Sequence, residues 1–138
     1  MSYSFVIVSK NDSPIFEYVL NGDASESGHL NQFIIHAALD CVDEAQASTT
    51  QWFLRCVDRF NDKSIFAYIT AGLTRFMLLA EPTSSTSIKS EDAIRSFFLD
   101  INECYLRHVM NPFYVEGQAI SSDSFREKVA NVARKYLL

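Results

Sequence analysis

The sequence has little of what metal sites, nucleotide sites and membrane spans require. Its three cysteines and three histidines share no ligand spacing, so we predict no zinc site. Its four glycines are dispersed, and no phosphate-binding loop, dinucleotide fingerprint or nucleophile elbow is present. No apolar run approaches the length of a membrane span. We therefore predict neither a cofactor nor a metal, and we expect no integral membrane protein.

The charge and the cysteine content limit which cellular compartment and which binding partners we expect. Charged residues make up only 21% of the 138 residues, and the net charge is -5. Basic residues are scattered apart from a small group between Arg126 and Lys135, so we expect no nucleic-acid binding and no direct membrane insertion. The odd number of widely spaced cysteines indicates reduced thiols in the cytoplasm. No basic residue precedes Lys10, so we expect no signal peptide.

The sequence is rich in apolar and aromatic side chains. Hydrophobic residues make up 48% of the chain, which includes 11 phenylalanines and 6 tyrosines. The length is that of one ordinary domain, so we expect residues 1–138 to form a single domain. A surface poor in charge suits a domain that keeps apolar area for a partner.

The apolar pattern predicts the element order ββαβββαα. Strands repeat apolar residues with a period of two, and helices repeat them at three- and four-residue spacing. The predicted strands cover residues 3–9, 15–20, 52–60, 64–72 and 74–81, and the predicted helices begin at His29, Ser90 and Ser124. Helices from the middle and the end of the chain must cover both sheet faces, which predicts a three-layer α+β domain. The Ser/Thr-rich segment from Pro82 to Ile88 is predicted to be a mobile surface loop.

The first predicted helix has an apolar stripe wider than one sheet contact needs. Ala37 and Ala38 are small enough to let the helix lie close to a sheet, while Ile35 and Leu39 lie at the flanks of the stripe. The opposite face is polar and consists of His36, Asp40, Asp43 and Glu44. We favour a solvated face over an acid–base or metal site for these residues, and both interpretations stay open.

Two further clusters have a structural and a functional interpretation. Cys104 and His108 lie one helical turn apart beside an apolar stripe, without a third orienting group, which favours a buried structural cysteine over a nucleophile. Phe113 and Tyr114 follow Asn111-Pro112 and place two aromatic side chains on irregular backbone. We interpret them as an anchor between the second and third helices, and a partner contact is the alternative.

The sequence resembles the sedlin family in three segments. The first is His29-Leu30-Asn31-Gln32-Phe33-Ile34, which continues through His36-Ala37-Ala38-Leu39-Asp40 to Val42-Asp43-Glu44. The second is Ala67-Tyr68-Ile69-Thr70-Ala71-Gly72 with Arg75-Phe76, and the third is Met110-Asn111-Pro112-Phe113-Tyr114 with Ser121-Ser122 and Phe125. With the strand Phe5-Val6-Ile7-Val8 they cover nearly the whole chain in the family's order. The first segment is closer to the sedlin branch than to the sedlin-like branch, and the loop from Pro82 to Ile88 is the main departure.

This resemblance implies a longin-like (SNARE-like) fold, with a five-stranded antiparallel sheet, one helix on one face and two on the other. It also implies membership of TRAPP, a complex that tethers vesicles between the endoplasmic reticulum and the Golgi and promotes nucleotide exchange on a Rab GTPase. We therefore expect a non-catalytic adaptor that contacts other TRAPP subunits directly, and a Rab GTPase and membranes only through them. The expected location is cytoplasmic, peripheral at those membranes or perinuclear.

The first helix is the predicted contact surface, and the resemblance places Asp40 at a carboxylate of an interaction surface. The candidate partner-binding residues are Ile35, His36, Leu39, Asp40, Asp43, Phe113 and Tyr114. One alternative is a free longin-type regulatory module that binds a SNARE or a coat protein, although no coiled-coil heptads and no membrane anchor precede Leu138. The other alternative is an enzyme that uses His36, Asp40 and Glu44.

Overall fold

The computed structural model describes residues 2–11, 13–20, 33–48, 52–60, 63–70, 72, 74–81, 91–115, 119–120 and 123–137. The strands are β1 (Ser2–Val8), β2 (Pro14–Leu20), β3 (Phe53–Phe60), β4 (Lys63–Ile69) and β5 (Arg75–Glu81). The helices are α1 (Leu39–Ser48), α2 (Glu91–Val109) and α3 (Asp123–Leu137). Residues 33–37 are also helical, and the Ala38 N–H donates to the carbonyl oxygens of Ile34 and Ile35 at 3.0 and 3.1 Å. These bonds join residues 33–37 to α1, and we call the whole stretch the helical segment 33–48.

The five strands form one sheet in the order β2-β1-β5-β4-β3, and every neighbouring pair is antiparallel. The β1-β2 hairpin and the β3-β4-β5 meander confirm the predictions from turn residues and strand spacing. The central pair joins β1 to β5, with Phe5 opposite Leu78. This pair brings together strands from opposite halves of the chain and joins the β1-β2 hairpin to the β3-β4-β5 meander.

Residues of the central strands alternate between the two faces of the sheet, because successive side chains of a strand point in opposite directions. In β5, Phe76 and Leu78 lie on one face while Met77 and Leu79 lie on the other, and all four are buried. The prediction that these strands have helices on both sides is therefore confirmed.

Two hydrophobic cores lie on the two faces. The aromatic core lies between the sheet and helices α2 and α3, and its buried aromatic residues are Tyr3, Phe5, Phe16, Phe66, Tyr68, Phe76, Phe97, Phe98, Tyr105 and Phe125. The aliphatic core lies between the sheet and the helical segment 33–48, and its buried residues are Val6, Val8, Ile34, Ile35, Ala38, Leu39, Val42, Ile65, Ala67, Ile69, Met77 and Leu79. One helix on one face and two on the other is the predicted three-layer arrangement.

Some local details differ from the predictions. Ala37 is exposed, so Ala38, which is 0% exposed, is the residue that lets the helix lie close to the sheet. The reason is that Ala38 is one turn from both buried Ile34 and buried Val42, whereas position 37 is turned away. The strand predicted from Trp52 begins at Phe53, and the last helix begins at Asp123.

Several predictions lie outside the described residues. They are the helix start from His29 to Gln32, the loop from Pro82 to Ile88, the helix cap at Ser90 and the Ser121-Ser122 pair.

Candidate partner-binding surfaces

The polar face of the helical segment 33–48 is exposed and acidic. We call it the acidic helix face, and it consists of His36, Asp40, Asp43 and Glu44. The segment contains no lysine or arginine. Burial raises the pKa of the neighbouring Cys41 thiol, and the carboxylates of Asp58, Glu44 and Asp40 raise it further. A surface with this one-sided charge suits a basic surface on a partner.

Ile35 and Leu39 do not belong to the exposed surface of this helix. Ile35 is 1% exposed and Leu39 is 8% exposed, and both are members of the aliphatic core. The prediction that they widen a partner-binding surface is therefore wrong. Positions 35, 39 and 42 follow one another at four- and three-residue spacing, so they belong to the stripe that the sheet covers.

Asp43 is exposed but also takes part in the fold. Its Oδ1 accepts a hydrogen bond of 3.2 Å from Arg75 Nη1, and Arg75 Nη2 donates to the Ser9 carbonyl oxygen at 3.0 Å. The Arg75 side chain is 6% exposed and that of Asp43 is 61% exposed. Because a buried guanidinium is costly unless an opposite charge and hydrogen-bond acceptors surround it, Asp43 ties α1 to the ends of β1 and β5.

The two aromatic side chains of the turn after α2 differ in burial. Phe113 is 89% exposed, whereas Tyr114 is half-buried and packs against the aromatic core. Asn111 holds the turn, because its Oδ1 accepts from the Phe113 N–H at 3.0 Å and its carbonyl oxygen accepts from the Tyr114 N–H at 2.9 Å. The prediction of an anchor therefore holds for Tyr114 and is wrong for Phe113, which the turn directs into solvent.

Cys104 and His108 are both half-buried, and Cys104 packs against the aromatic core. The favoured structural interpretation therefore holds for the packing of Cys104, although its side chain is not fully buried. The His108 ring lies 5.3 Å from the Tyr114 ring and 5.4 Å from the Phe125 ring. Burial raises the pKa of the Cys104 thiol, although Lys128 and Arg107 act in the opposite direction. A thiol whose pKa is raised is a poor nucleophile at neutral pH, because little of it is thiolate.

A pocket that we did not predict from the sequence lies at one end of the sheet. This sheet-end pocket has a volume of about 630 Å³ and lies where β1 and β4 end and where β2, β3 and β5 begin, beside α2. Its described lining residues are Ser9, Lys10, Asn11, Ile15, Trp52, Thr70, Gly72, Thr74, Asn102, Tyr105, Leu106, Val109 and Tyr114.

One signal for an exposed apolar surface near this pocket was present in the sequence. Leu99, Leu106 and Met110 are apolar, yet they lie off the predicted buried stripe of α2. They are 46%, 42% and 76% exposed in the structure. Helical geometry places all three on one line along the outside of α2, which we call the α2 crest.

Membrane-spanning helices and metal sites are both absent from the described residues. Among the described residues, no helix combines the length and the apolar character that crossing a membrane needs. In the same part of the chain, no group of histidine, cysteine, aspartate and glutamate side chains has an arrangement that could hold a metal ion.

The fold defines the class of the protein. A five-stranded antiparallel sheet with one helix on one face and two on the other is longin-like. The chain belongs to the sedlin family, because the family model described as Sedlin matches residues 7–135.

Subunits of trafficking particles from several organisms are similar to this chain over nearly its whole length. The 20 kDa subunit of the transport protein particle of Schizosaccharomyces pombe is 37% identical over 136 residues, which cover 95% of this chain and 96% of the relative. The probable trafficking protein particle complex subunit 2 of Drosophila melanogaster is 38% identical over 142 residues, which cover 99% and 98%. The subunit 2-like protein of Mus musculus is 24% identical over 139 residues, which cover 96% of each chain.

Proposed function

We propose that this protein is a non-catalytic adaptor subunit of the TRAPP vesicle-tethering complex and acts in transport from the endoplasmic reticulum to the Golgi. The observation that carries the proposal is the end-to-end similarity to relatives named as subunits of this particle, at 37% and 38% identity. The match covers 95% and 99% of this chain, which supports a role for nearly the whole chain in such a particle.

The proposed direct partners are other TRAPP subunits. Contacts with a Rab GTPase and with membranes would be made by the assembled complex, which would place the protein in the cytoplasm and at the periphery of endoplasmic reticulum and Golgi membranes. Exposed, chemically distinct surfaces on a small domain suit such a linking role.

The proposed contact residues are the exposed members of the predicted set, His36, Asp40 and Phe113, with Asp43 in a dual role and Tyr114 as support for the turn. Asp40 is exposed in the first turn of α1. A partner with basic or hydrogen-bonding groups would match the acidic helix face, and an apolar pocket would match the Phe113 ring.

The position of the acidic helix face favours binding over catalysis. His36, Asp40 and Glu44 are exposed on the outer side of a helix, and none of them lines the sheet-end pocket. Acid–base catalysis needs such groups in a concave site that excludes water. This geometry argues against the enzyme alternative.

Affinity purification with matched variants tests the proposal. The tagged protein would be purified from its native cells, alongside Asp40→Tyr and the control Asp92→Tyr. Asp40 and Asp92 are both exposed on helices, but these helices lie on opposite sides of the sheet. We expect wild type and Asp92→Tyr to recover TRAPP subunits in comparable amounts. With Asp40→Tyr, the recovery of at least one subunit should fall about tenfold, which corresponds to a loss of about 1.4 kcal/mol in binding free energy.

Two outcomes would contradict different parts of the proposal. Recovery of wild-type protein without TRAPP subunits, from a lysate in which the complex is intact, would overturn membership of the complex and favour a free regulatory module. Equal recovery with wild type and Asp40→Tyr would leave membership standing and remove the acidic helix face as the contact.

A further inference from the structure

The sheet-end pocket is large enough to accept more than one side chain of a ligand. Its volume of about 630 Å³ is within the range of about 300 to 1,000 Å³ that ligand pockets have. The apolar part of its wall is formed by Trp52, Leu106 and Val109 with the tyrosines Tyr105 and Tyr114. Trp52 and Leu106 are 50% and 42% exposed, so apolar area at the entrance is in contact with solvent.

The described lining residues of the pocket carry charge of one sign only. Lys10 is the one charged side chain among its described lining residues, and it is exposed. A ligand that fits this wall therefore has an uncharged apolar body, and charge complementarity favours an acidic group beside it.

Asn102 supplies the observation that selects the chemistry of the ligand. This residue lines the pocket, its Oδ1 is buried, and no hydrogen-bond partner for that atom exists among the described residues. A carboxamide offers both a donor and an acceptor, and rotation about its last side-chain bond exchanges their positions. The backbone of an extended peptide presents a matching acceptor and donor, whereas an acyl chain presents neither.

We propose that the sheet-end pocket binds a short extended segment of a partner protein. The segment has a large apolar anchor side chain that fills the space between Trp52 and Leu106, and an acidic residue next to the anchor faces Lys10. Its backbone amide pairs with the Asn102 carboxamide. This inference adds a second docking surface, which α2 and the ends of the strands form without the helical segment 33–48, and it rests on the proposed role in protein binding.

Nuclear magnetic resonance on the uniformly ¹⁵N-labelled full chain tests the inference with a defined probe. The probe is the acetylated and amidated pentapeptide Gly-Asp-Leu-Phe-Gly, and dodecanoate is the comparison ligand. We expect saturable shifts of the Trp52 indole N–H and the Asn102 side-chain amide, with a dissociation constant of about 0.1 to 1 mM for so short a segment. A peptide with lysine in place of aspartate should bind several-fold more weakly.

Two leucines of the α2 crest provide a matched pair of variants. Leu106 lines the pocket and Leu99 does not, although both are exposed to a similar extent, at 42% and 46%. We expect Leu106→Glu to abolish the shifts and Leu99→Glu to leave them unchanged. Asn102→Leu should lose the peptide, because the amide pairing is removed while the apolar wall remains.

The outcomes separate the possible occupants. Saturable binding of dodecanoate without binding of the peptide would overturn the inference in favour of an amphiphile site. The absence of shifts with either probe at about 5 mM, which is about five times the upper end of the expected Kd range, would overturn the inference entirely. Equal binding by the two leucine variants would also overturn it. Neither result would affect recovery of TRAPP subunits in the purification experiment, so failure here and failure of the proposed function are distinguishable.

Discussion

The two faces of the sheet have cores of different chemistry. Aromatic rings dominate the core under α2 and α3, whereas the core under the helical segment 33–48 contains no aromatic residue among its described buried members. Most of the aromatic rings pack edge-on or tilted, as in the pair of Phe5 and Phe97 at 5.4 Å and that of Phe16 and Phe125 at 4.9 Å. The Tyr68 ring is stacked on those of Phe76 and Phe98. Rings therefore fill the core beneath two helices, whereas branched and unbranched aliphatic residues with Ala38 and Ala67 fill the core beneath one helix.

The difference continues on the outer surfaces. The single helix on the aliphatic side presents an acidic face, and the two-helix side presents the apolar α2 crest and the sheet-end pocket. On the aliphatic side, Glu17 and Val19 of the edge strand β2 are exposed opposite buried Val6 and Ser4 of β1. One helix therefore leaves part of its sheet face accessible, and the molecule offers surfaces of different chemistry on its two sides.

The largest expected effect comes from removing a ring of the aromatic core. Phe98 is 0% exposed and lies 5.6 to 6.4 Å from the rings of Phe97, Tyr68, Phe53 and Phe5. Phe98→Ala should lower the free energy of unfolding by about 3 to 5 kcal/mol, because it leaves a cavity among fixed rings. Urea denaturation measures the change.

The matched variant for this prediction is Met77→Leu in the aliphatic core, where Met77 is also 0% exposed. An exchange that conserves volume should cost less than about 1.5 kcal/mol there. A loss as small for Phe98→Ala as for Met77→Leu would show that the surrounding rings collapse into the space that Phe98 leaves.

The next effect tests how closely the single helix lies on the sheet. Ala38 is 0% exposed in the aliphatic core, whereas its neighbour Ala37 is exposed. Ala38→Leu should lower the free energy of unfolding by about 1 to 3 kcal/mol, because it overfills the contact. Ala37→Leu should stay within about 0.5 kcal/mol of wild type. Thermal and urea unfolding of both variants would show whether the two alanines differ as the structure requires.

A smaller effect is expected for the polar link between helix and sheet. Asp43→Asn keeps the shape of the side chain but removes the charge that faces the buried Arg75 guanidinium at 3.2 Å. The free energy of unfolding should fall by about 1 to 2 kcal/mol, because Asp43 is largely exposed and water replaces part of the interaction. Asp40→Asn on the same helix should change it by less than about 0.5 kcal/mol. Equal effects of the two substitutions in urea denaturation would show that the link to Arg75 adds no stability.

The smallest effect on stability is expected on the two-helix side, in the turn after α2. Phe113 is 89% exposed, so Phe113→Ser should change the free energy of unfolding by less than about 0.5 kcal/mol. Tyr114→Ala should cost more, because the Tyr114 ring packs against His108 and the aromatic core. A loss above about 1 kcal/mol for Phe113→Ser would mean that its ring is packed down, and Phe113 would then no longer be a candidate contact residue.

The regular elements on both faces of the sheet could be predicted from the sequence. The period of two in the strands and of three to four in the helices predicted all five strands, α2 and α3, and the helix that covers the aliphatic core. These patterns are local, since each depends on residues a few positions apart. The exposed positions of His36, Asp40 and Glu44 were predicted for the same reason.

The errors concern residues whose burial depends on distant parts of the chain. Ile35 and Leu39 looked like flanks of the helix, but the breadth of the sheet beneath them buries both. Phe113 looked like an anchor, and the hydrogen bonds of Asn111 turn it outward instead. Apolarity alone does not distinguish a buried ring from an exposed one.

The sequence by itself determined the order and type of the elements, the acidic character of the first helix and the membership of the sedlin family. Only the tertiary structure decided which side chains meet across the molecule. The contact of Asp43 with Arg75 and the sheet-end pocket both depend on the pairing of β1 with β5, which joins opposite halves of the chain. Periodicity is set by neighbouring residues, whereas a pocket is set by the distances between elements that topology brings together.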